Sequence, residues 1–299
     1  MGMDWDLAQL RAFAATIDHG SLEAAAGALH VTPSAVSQRL KALERAVGAV
    51  LLQRSRPVRP TGPGEEVLRL ARQVEALTRD TELSLGAGDL RPVVRLAVNA
   101  DSLSTWVLPA LAPLSADLSL ELIREGEDHT ADLLRDGSAM AAITTERTPV
   151  QGCTVERLGA MRYQPMAAPE FAARWFPDGL TPEALSTAPL VVFDARDRMQ
   201  HRVLRRHGVS IDPPIHLVPA STQYVEAVRL GYGWGMVPDL QRAGWTGEDG
   251  VVLSTRDGET GDAEEVALFW QQWALRTPSL EQVAAAIRAA SNQILRQIG

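Results

Sequence analysis

Cysteine is almost absent from this chain of 299 residues: Cys153 is the only one. A single thiol cannot build an intramolecular disulfide framework, and it argues against a cysteine-rich metal site. Long apolar runs are missing as well. None approaches the ~20 residues needed to span a bilayer, and Met1 to Asp6 does not open a secretion signal. Signatures of catalysis are lacking too. There is no G-x-S-x-G elbow and no Walker pattern, and none of the six histidines lies in H-E-x-x-H. Gly231-Tyr232-Gly233-Trp234-Gly235 alternates glycines but lacks the following helix of a dinucleotide loop, so it reads as a turn feeding a strand. The expectation is a soluble cytoplasmic protein that is not an enzyme and has no metal or cofactor. Its 45% hydrophobic and 22% charged residues fit a globular chain of two or three domains rather than a disordered or fibrous one.

Positive charge is scarce overall and concentrated where it occurs. The net charge is −8. Residues 30–60 nevertheless hold Arg39, Lys41, Arg45, Arg54, Arg56 and Arg59 against one acid, Glu44, a local net of +5. Nucleic acid responds to local potential rather than to totals. Lys41 is the single lysine among 29 basic residues, which points to genome composition rather than mechanism.

The region around this island reads as helices. Leu7, Leu10, Phe13, Ala14 and Ile17 recur at helical spacing up to His19-Gly20. Ser21 can cap a short second helix with Leu22, Ala25, Ala26 and Leu29 as its apolar stripe. After a turn at His30-Val31, Thr32 is the next N-cap and Pro33 takes the first helical position. Two short helices across a tight turn form a helix-turn-helix. On the second, Ser34, Ser37, Gln38 and Lys41 share one outward stripe, placing hydroxyl, amide and ammonium groups where they can meet base edges or phosphates. The stripe alone could equally be a solvated helix face. The basic segment that follows favours DNA: Pro57, Pro60, Gly62, Pro63 and Gly64 oppose helix, Val58 and the leucines suit a short hairpin or wing, and Arg54, Arg56 and Arg59 suit phosphate contact or minor-groove insertion. Thr32 and Arg39 join this list, although Arg39 could equally pair with Glu44 or with a neighbouring chain. From Glu65 to about Leu85, Val67, Leu70, Val74, Leu77, Thr81 and Ser84 mark a short helical seam that packs on its own domain or pairs with a second copy, the latter favoured. Gly86-Ala87-Gly88 reads as a hinge. Beyond residue 90, strands and helices alternate, as in an open α/β sheet.

The segment GSLEAAAGALHVTPSAVSQRLKALE (20–44) resembles the N-terminal signature of LysR-type transcriptional regulators, and the likeness continues through the wing and linker helix. That resemblance implies an all-α winged helix-turn-helix domain followed by an α/β effector domain of two lobes, like periplasmic binding proteins. The expected division is 1–62 for DNA binding, 63–88 for linker and hinge, and 89–299 for the effector domain. Its first lobe would take 89–160 and 240–299, its second 161–239. Within the family, VNADSLSTWVLPAL (98–111), Tyr163, Trp175-Phe176-Pro177-Asp178-Gly179 and Val192-Phe193-Asp194 are similar to the branch that senses basic amino acids. This implies L-lysine or L-arginine as effector and activation of an amino-acid exporter gene. The implied partners are double-stranded promoter DNA, a second copy in a homodimer or tetramer, and RNA polymerase, with no membrane. A solute-binding protein without DNA work is the alternative.

Open α/β sheets bind ligands beyond the carboxyl ends of their strands. Acids stand at three such ends: Asp101 after Asn99, Glu125 with Glu127, and Asp194 after Phe193. A cationic side chain in a cleft needs one of them. Ser102, Ser104, Thr144 and Ser221 can serve the ligand's own carboxylate, and Trp106 and Phe193 can cover its aliphatic stem. Each has a plainer role open to it: the acids as turn formers, Ser102 and Ser221 as helix caps, Trp106 as core, Thr144 as an ordinary strand hydroxyl.

Overall fold

The computed structural model describes residues 5–53, 55–86, 91–124, 127–211, 213–255 and 262–295. The chain begins with α1 (Leu7–Asp18), α2 (Leu22–Ala28) and α3 (Pro33–Val47). The wing is β1 (Leu52–Gln53) and β2 (Arg59–Pro60), and the long α4 (Gly62–Ser84) follows. Next come β3 (Val93–Val98), α5 (Ala100–Ser102), α6 (Leu108–Leu111), β4 (Ser119–Arg124), α7 (Glu127–Arg135), β5 (Ala141–Thr144) and the fifteen-residue β6 (Cys153–Ala167). Then follow α8 (Pro169–Trp175), α9 (Pro182–Leu185), β7 (Leu190–Val192), α10 (Met199–Arg206), β8 (Ile215–Leu217) and α11 (Ser221–Arg229). The chain ends with β9 (Gly235–Pro238), β10 (Val251–Val252), β11 (Glu264–Trp273) and α12 (Pro278–Ile294). An all-α winged helix-turn-helix region therefore precedes an α/β region, the fold class expected from the sequence. No described helix is long and apolar enough to cross a membrane.

Two compact units organise these elements. One comprises Met1–Val98, Leu114–Glu156 and Trp270–Ala285; the other comprises Asn99–Pro113, Arg157–Phe269 and Ala286–Gly299. In the first, α1 to α4 close over a core of Phe13, Ala25, Ala26, Val36, Leu40, Leu43, Leu51, Val67 and Leu68. The alanines at 25 and 26 are fully buried, so α2 and α3 approach closely. The first turns of α4 belong to this core, so Val67 packs on its own domain, whereas Leu77 further along is exposed. The same unit holds a parallel sheet in which β3 pairs with β4 and β5, with Ala97, Leu134, Ala139 and Ala142 packed at its α7 side.

In the second unit, β6 runs antiparallel to β9 and β10, and β7 runs parallel to β8. Met166, Val191, Tyr224, Val225, Val228 and Val237 form its core. The segment between α5 and α6, Leu103–Val107, is a π-helical turn. Pro109 explains it: proline has no N–H to give the carbonyl four residues back, and its ring pushes that carbonyl away.

Three sequence expectations change. Gly62-Pro63-Gly64 is helical, because Thr61 caps α4 by accepting the Gly64 N–H and Pro63 sits in the first turn, where it removes no helical bond. β6 spans Cys153–Ala167 as one strand that the sequence pattern does not announce, despite an internal Gly159 and Pro165. Residues 100–114, where the alternation calls for one helix after β3, form a run of short helical pieces.

Candidate DNA-binding surface and effector site

The helix-turn-helix is held by local bonds its sequence prescribes. Ser21 Oγ accepts the Ala24 N–H at 3.1 Å, and Thr32 Oγ1 accepts the Ala35 N–H at 3.2 Å. Each cap contributes about 1 kcal/mol to its helix. His30 takes a φ of 53° in the turn between them, and Gly48 closes α3 in the left-handed region at 77°. Ser34, Gln38 and Lys41 are exposed, and Ser37 and Arg39 half-buried. Thr32 is exposed too; its hydroxyl oxygen is used by the cap, while its proton is left to donate.

Arg39 does not pair with Glu44. The Glu44 carboxylate accepts the Leu51 N–H at 2.9 Å instead, and Arg39 has no ion-pair partner among the described residues. Arg45 donates to the Lys41 carbonyl at 3.0 Å. On the wing, Gln53 faces Arg59 across the two strands, and Arg56 and Arg59 are both exposed. Arg54 lies outside the described residues. The wing docks on the start of the motif: Val58 N–H donates to the Gly20 carbonyl at 3.1 Å, and a Cβ on Gly20 would sit 3.1 Å from Pro57 Cβ.

The effector candidates divide sharply. β3 ends at Val98 and α5 begins at Ala100, placing Asp101 in a first helical turn. Its Oδ2 accepts the Tyr163 hydroxyl at 2.7 Å and its Oδ1 the Ser221 hydroxyl at 2.5 Å. Ser104 Oγ lies 3.0 Å from Ser221 Oγ, and Gln241 Nε2 donates to both hydroxyls. Three predicted residues, Asp101, Ser104 and Ser221, are thus brought together with two unpredicted ones, Tyr163 and Gln241. Burial raises the Asp101 carboxyl above its ordinary 3.8; the two hydroxyls oppose that, and the charge of Asp197 adds to it. Among the described residues no basic side chain pairs with Asp101. A buried carboxylate with donors on one side and a second acid nearby is chemically matched to a cation.

Ser221 is the first residue of α11, not its cap, which is Ala220. Ser102 Oγ and Asn99 Oδ1 are buried without hydrogen-bond partners among the described residues. Trp106 is core, 2% exposed, and Asp194 accepts the Arg196 and Asp197 N–H groups as a turn former. Phe193 packs on the core beside Tyr224. Thr144, in the other unit, is buried and accepts the Glu146 N–H at 3.1 Å. Glu125 lies outside the described residues; Glu127 begins α7, and its side chain is not described. Tyr163 escaped notice as a site residue because β6 escaped notice as a strand. Gln241 follows β9 without any motif, and no local signal marks it.

Comparison with known proteins identifies the family of both regions. The family model described as "Bacterial regulatory helix-turn-helix protein, lysR family" matches residues 7–65, and the one described as "LysR substrate binding domain" matches 87–292. The HTH-type transcriptional regulator LysG of Mycobacterium tuberculosis is 41% identical over 291 residues, covering 96% of this chain and 94% of that protein. The crystal structure of ArgP from Mycobacterium tuberculosis superposes with a TM-score of 0.89 at 40% identity, over 99% of this chain and 100% of that one. Full-length LysG from Corynebacterium glutamicum with bound effector Arg superposes at 0.80 with 34% identity, over 97% and 99%. The chain belongs to the LysR family of bacterial regulatory helix-turn-helix proteins.

Proposed function

We propose that this chain is a sequence-specific transcriptional regulator whose effector is a basic amino acid, L-lysine or L-arginine, and whose target is an amino-acid exporter gene that it activates. The observation that carries the effector reading is Asp101: a buried acid held by Tyr163 and Ser221, with no basic partner among the described residues. A guanidinium or ammonium supplies the charge this carboxyl needs to ionise in its buried place. Ser102 Oγ is the donor for the ligand carboxylate and Asn99 Oδ1 the acceptor for its α-ammonium, each a buried atom in want of a partner. Glu125, Glu127, Thr144, Phe193, Asp194 and Trp106 stand behind these as secondary candidates. The effector bound by the Corynebacterium glutamicum relative supports the same class.

For DNA, the reading assigns base edges to Ser34, Ser37, Gln38 and Lys41, and backbone to Thr32, Arg39, Arg54, Arg56 and Arg59. It takes 1–62 as the DNA-binding domain, 63–88 as linker and 89–299 as effector domain, close to the two matched segments. The working form is a cytoplasmic homodimer or tetramer that reads a palindromic element and acts on RNA polymerase. Calorimetric titration tests the effector. Lysine or arginine should bind the full chain, while citrulline and norleucine, of similar shape but without the side-chain charge, should not. Asp101→Asn should weaken binding at least 100-fold; equal heats for charged and uncharged ligands would reject the reading.

A further inference from the structure

Glu44 is the only acid between residues 30 and 60, in the middle of a cationic stretch. If phosphate binding were its whole business, that carboxylate would only weaken the field. Its geometry gives it another role. It stands in the last turns of α3, and its Oε1 accepts the N–H of Leu51, beyond the end of that helix. Leu51 is fully buried and precedes the first wing strand. Its carbonyl accepts the Thr61 N–H at 2.9 Å, and Thr61 Oγ1 donates to the neighbouring Val50 carbonyl at 2.7 Å. Gly64, in the first turn of α4, comes so close that an added Cβ would lie 2.2 Å from the Leu51 oxygen. One residue therefore ties together the recognition helix, the wing and the linker helix, and Glu44 is the recognition helix's hold on it.

We propose that Glu44 is a positioning residue for DNA reading: it fixes where the wing arginines Arg56 and Arg59 stand relative to the stripe Ser34, Ser37, Gln38 and Lys41. The inference rests on the DNA-binding reading. Charge and position make opposite predictions, because losing the acid strengthens a cationic surface while losing the bond releases the wing. Glu44→Gln keeps an acceptor at Oε1 and drops the charge. Glu44→Asp keeps the charge and retracts it by one methylene, out of reach of Leu51.

The test uses the full chain, with a duplex selected from a random library by the wild-type protein and a scrambled duplex as control. Glu44→Gln should bind the selected duplex within about threefold of wild type or more tightly. Glu44→Asp and Glu44→Ala should lose at least tenfold on the selected duplex and weaken on the scrambled one as well, because the wing arginines hold backbone rather than bases. Their salt slope should be shallower by about one to two phosphate contacts. Adding Arg56→Ala should cost the Glu44→Asp protein less than it costs wild type, since the arginine is already misplaced. Circular dichroism reports folding; should Glu44→Ala fail to fold, the Asp and Gln variants still decide. Equal affinity of Asp and Gln variants, or an additive Arg56→Ala loss, overturns the proposal. If the wild-type chain selects no duplex at all, it is the DNA-binding reading that has failed.

Discussion

Asp101 carries a pH dependence whose sign can be worked out. Its folded-state pKa is raised, chiefly by burial, above the ordinary value of 3.8 that it regains on unfolding. Between those two values the folded chain holds a proton that the unfolded chain has released, so unliganded stability falls as pH rises through that window. A cationic ligand reverses the preference by favouring the ionised carboxyl. Effector affinity should therefore weaken as pH is lowered from neutral into the window, and binding there should release a proton. Calorimetry in buffers of different ionisation heat measures that release, and Asp101→Asn should abolish it. Affinity that stays flat from neutral to mildly acidic pH would mean the cation is held elsewhere. Tyr224, fully enclosed nearby with its hydroxyl accepting from Gln200 Nε2 at 2.8 Å, stays neutral because burial drives its pKa well up. Burial likewise pushes the Cys153 thiol up to about 11, which leaves it protonated and a poor nucleophile at neutral pH.

Among the elements, those whose ends are set by neighbouring residues were legible in the sequence. Ser21, Thr32 with Pro33, and Gly48 mark α2 and α3 because caps act within three residues. The start of α4 at Gly62-Pro63-Gly64 is hidden in the sequence, since two residue types that break a helix interior are harmless in its first turn. β6 was hidden by Gly159 and Pro165, and by burial of most of its length from Leu158 on, which erases alternation. What no periodicity could announce is how α4 is anchored. Arg72, 8% exposed, pairs with Asp18 at the end of α1 and donates to the Asp136 carbonyl at 3.0 Å and to Ser138 Oγ at 2.7 Å. Arg69 adds a bond to the Gln151 carbonyl at 3.0 Å, and Ser279 Oγ donates to Asp80. Arg72→Ala should destabilise the chain by about 2 kcal/mol, the range for bonds to a charged group. Loss of a fully enclosed pair would cost more, but Asp18 stays 45% exposed and is rehydrated once its partner leaves. A urea midpoint unchanged from wild type would show that these contacts bear no weight.

At the level of the whole molecule, the two sites differ in how far apart in the chain their parts lie. The proposed DNA surface draws on one stretch of about thirty residues, which is why composition and spacing are enough to suggest it. The network proposed for the effector joins Asp101 to Tyr163 and Ser221, 62 and 120 positions on, and Ser104 to Gln241, 137 on. Only the strand-end rule hinted at its acid. The charge distribution has the same lopsidedness: a +5 island stands on a chain of net −8. Two substitutions within that island should then fail differently. Gln38, exposed on the helix stripe, offers an amide that can pair with a base edge, so Gln38→Ala should cost about 1–3 kcal/mol on the selected duplex and nothing on a scrambled one. Arg56, exposed on the wing, offers charge without sequence information, so Arg56→Ala should weaken both duplexes alike and lower the salt slope by about one. Fluorescence anisotropy over a salt series separates the two: a Gln38→Ala loss shared equally by both duplexes would place that side chain on the phosphate backbone and leave the sequence reading to the remaining stripe residues.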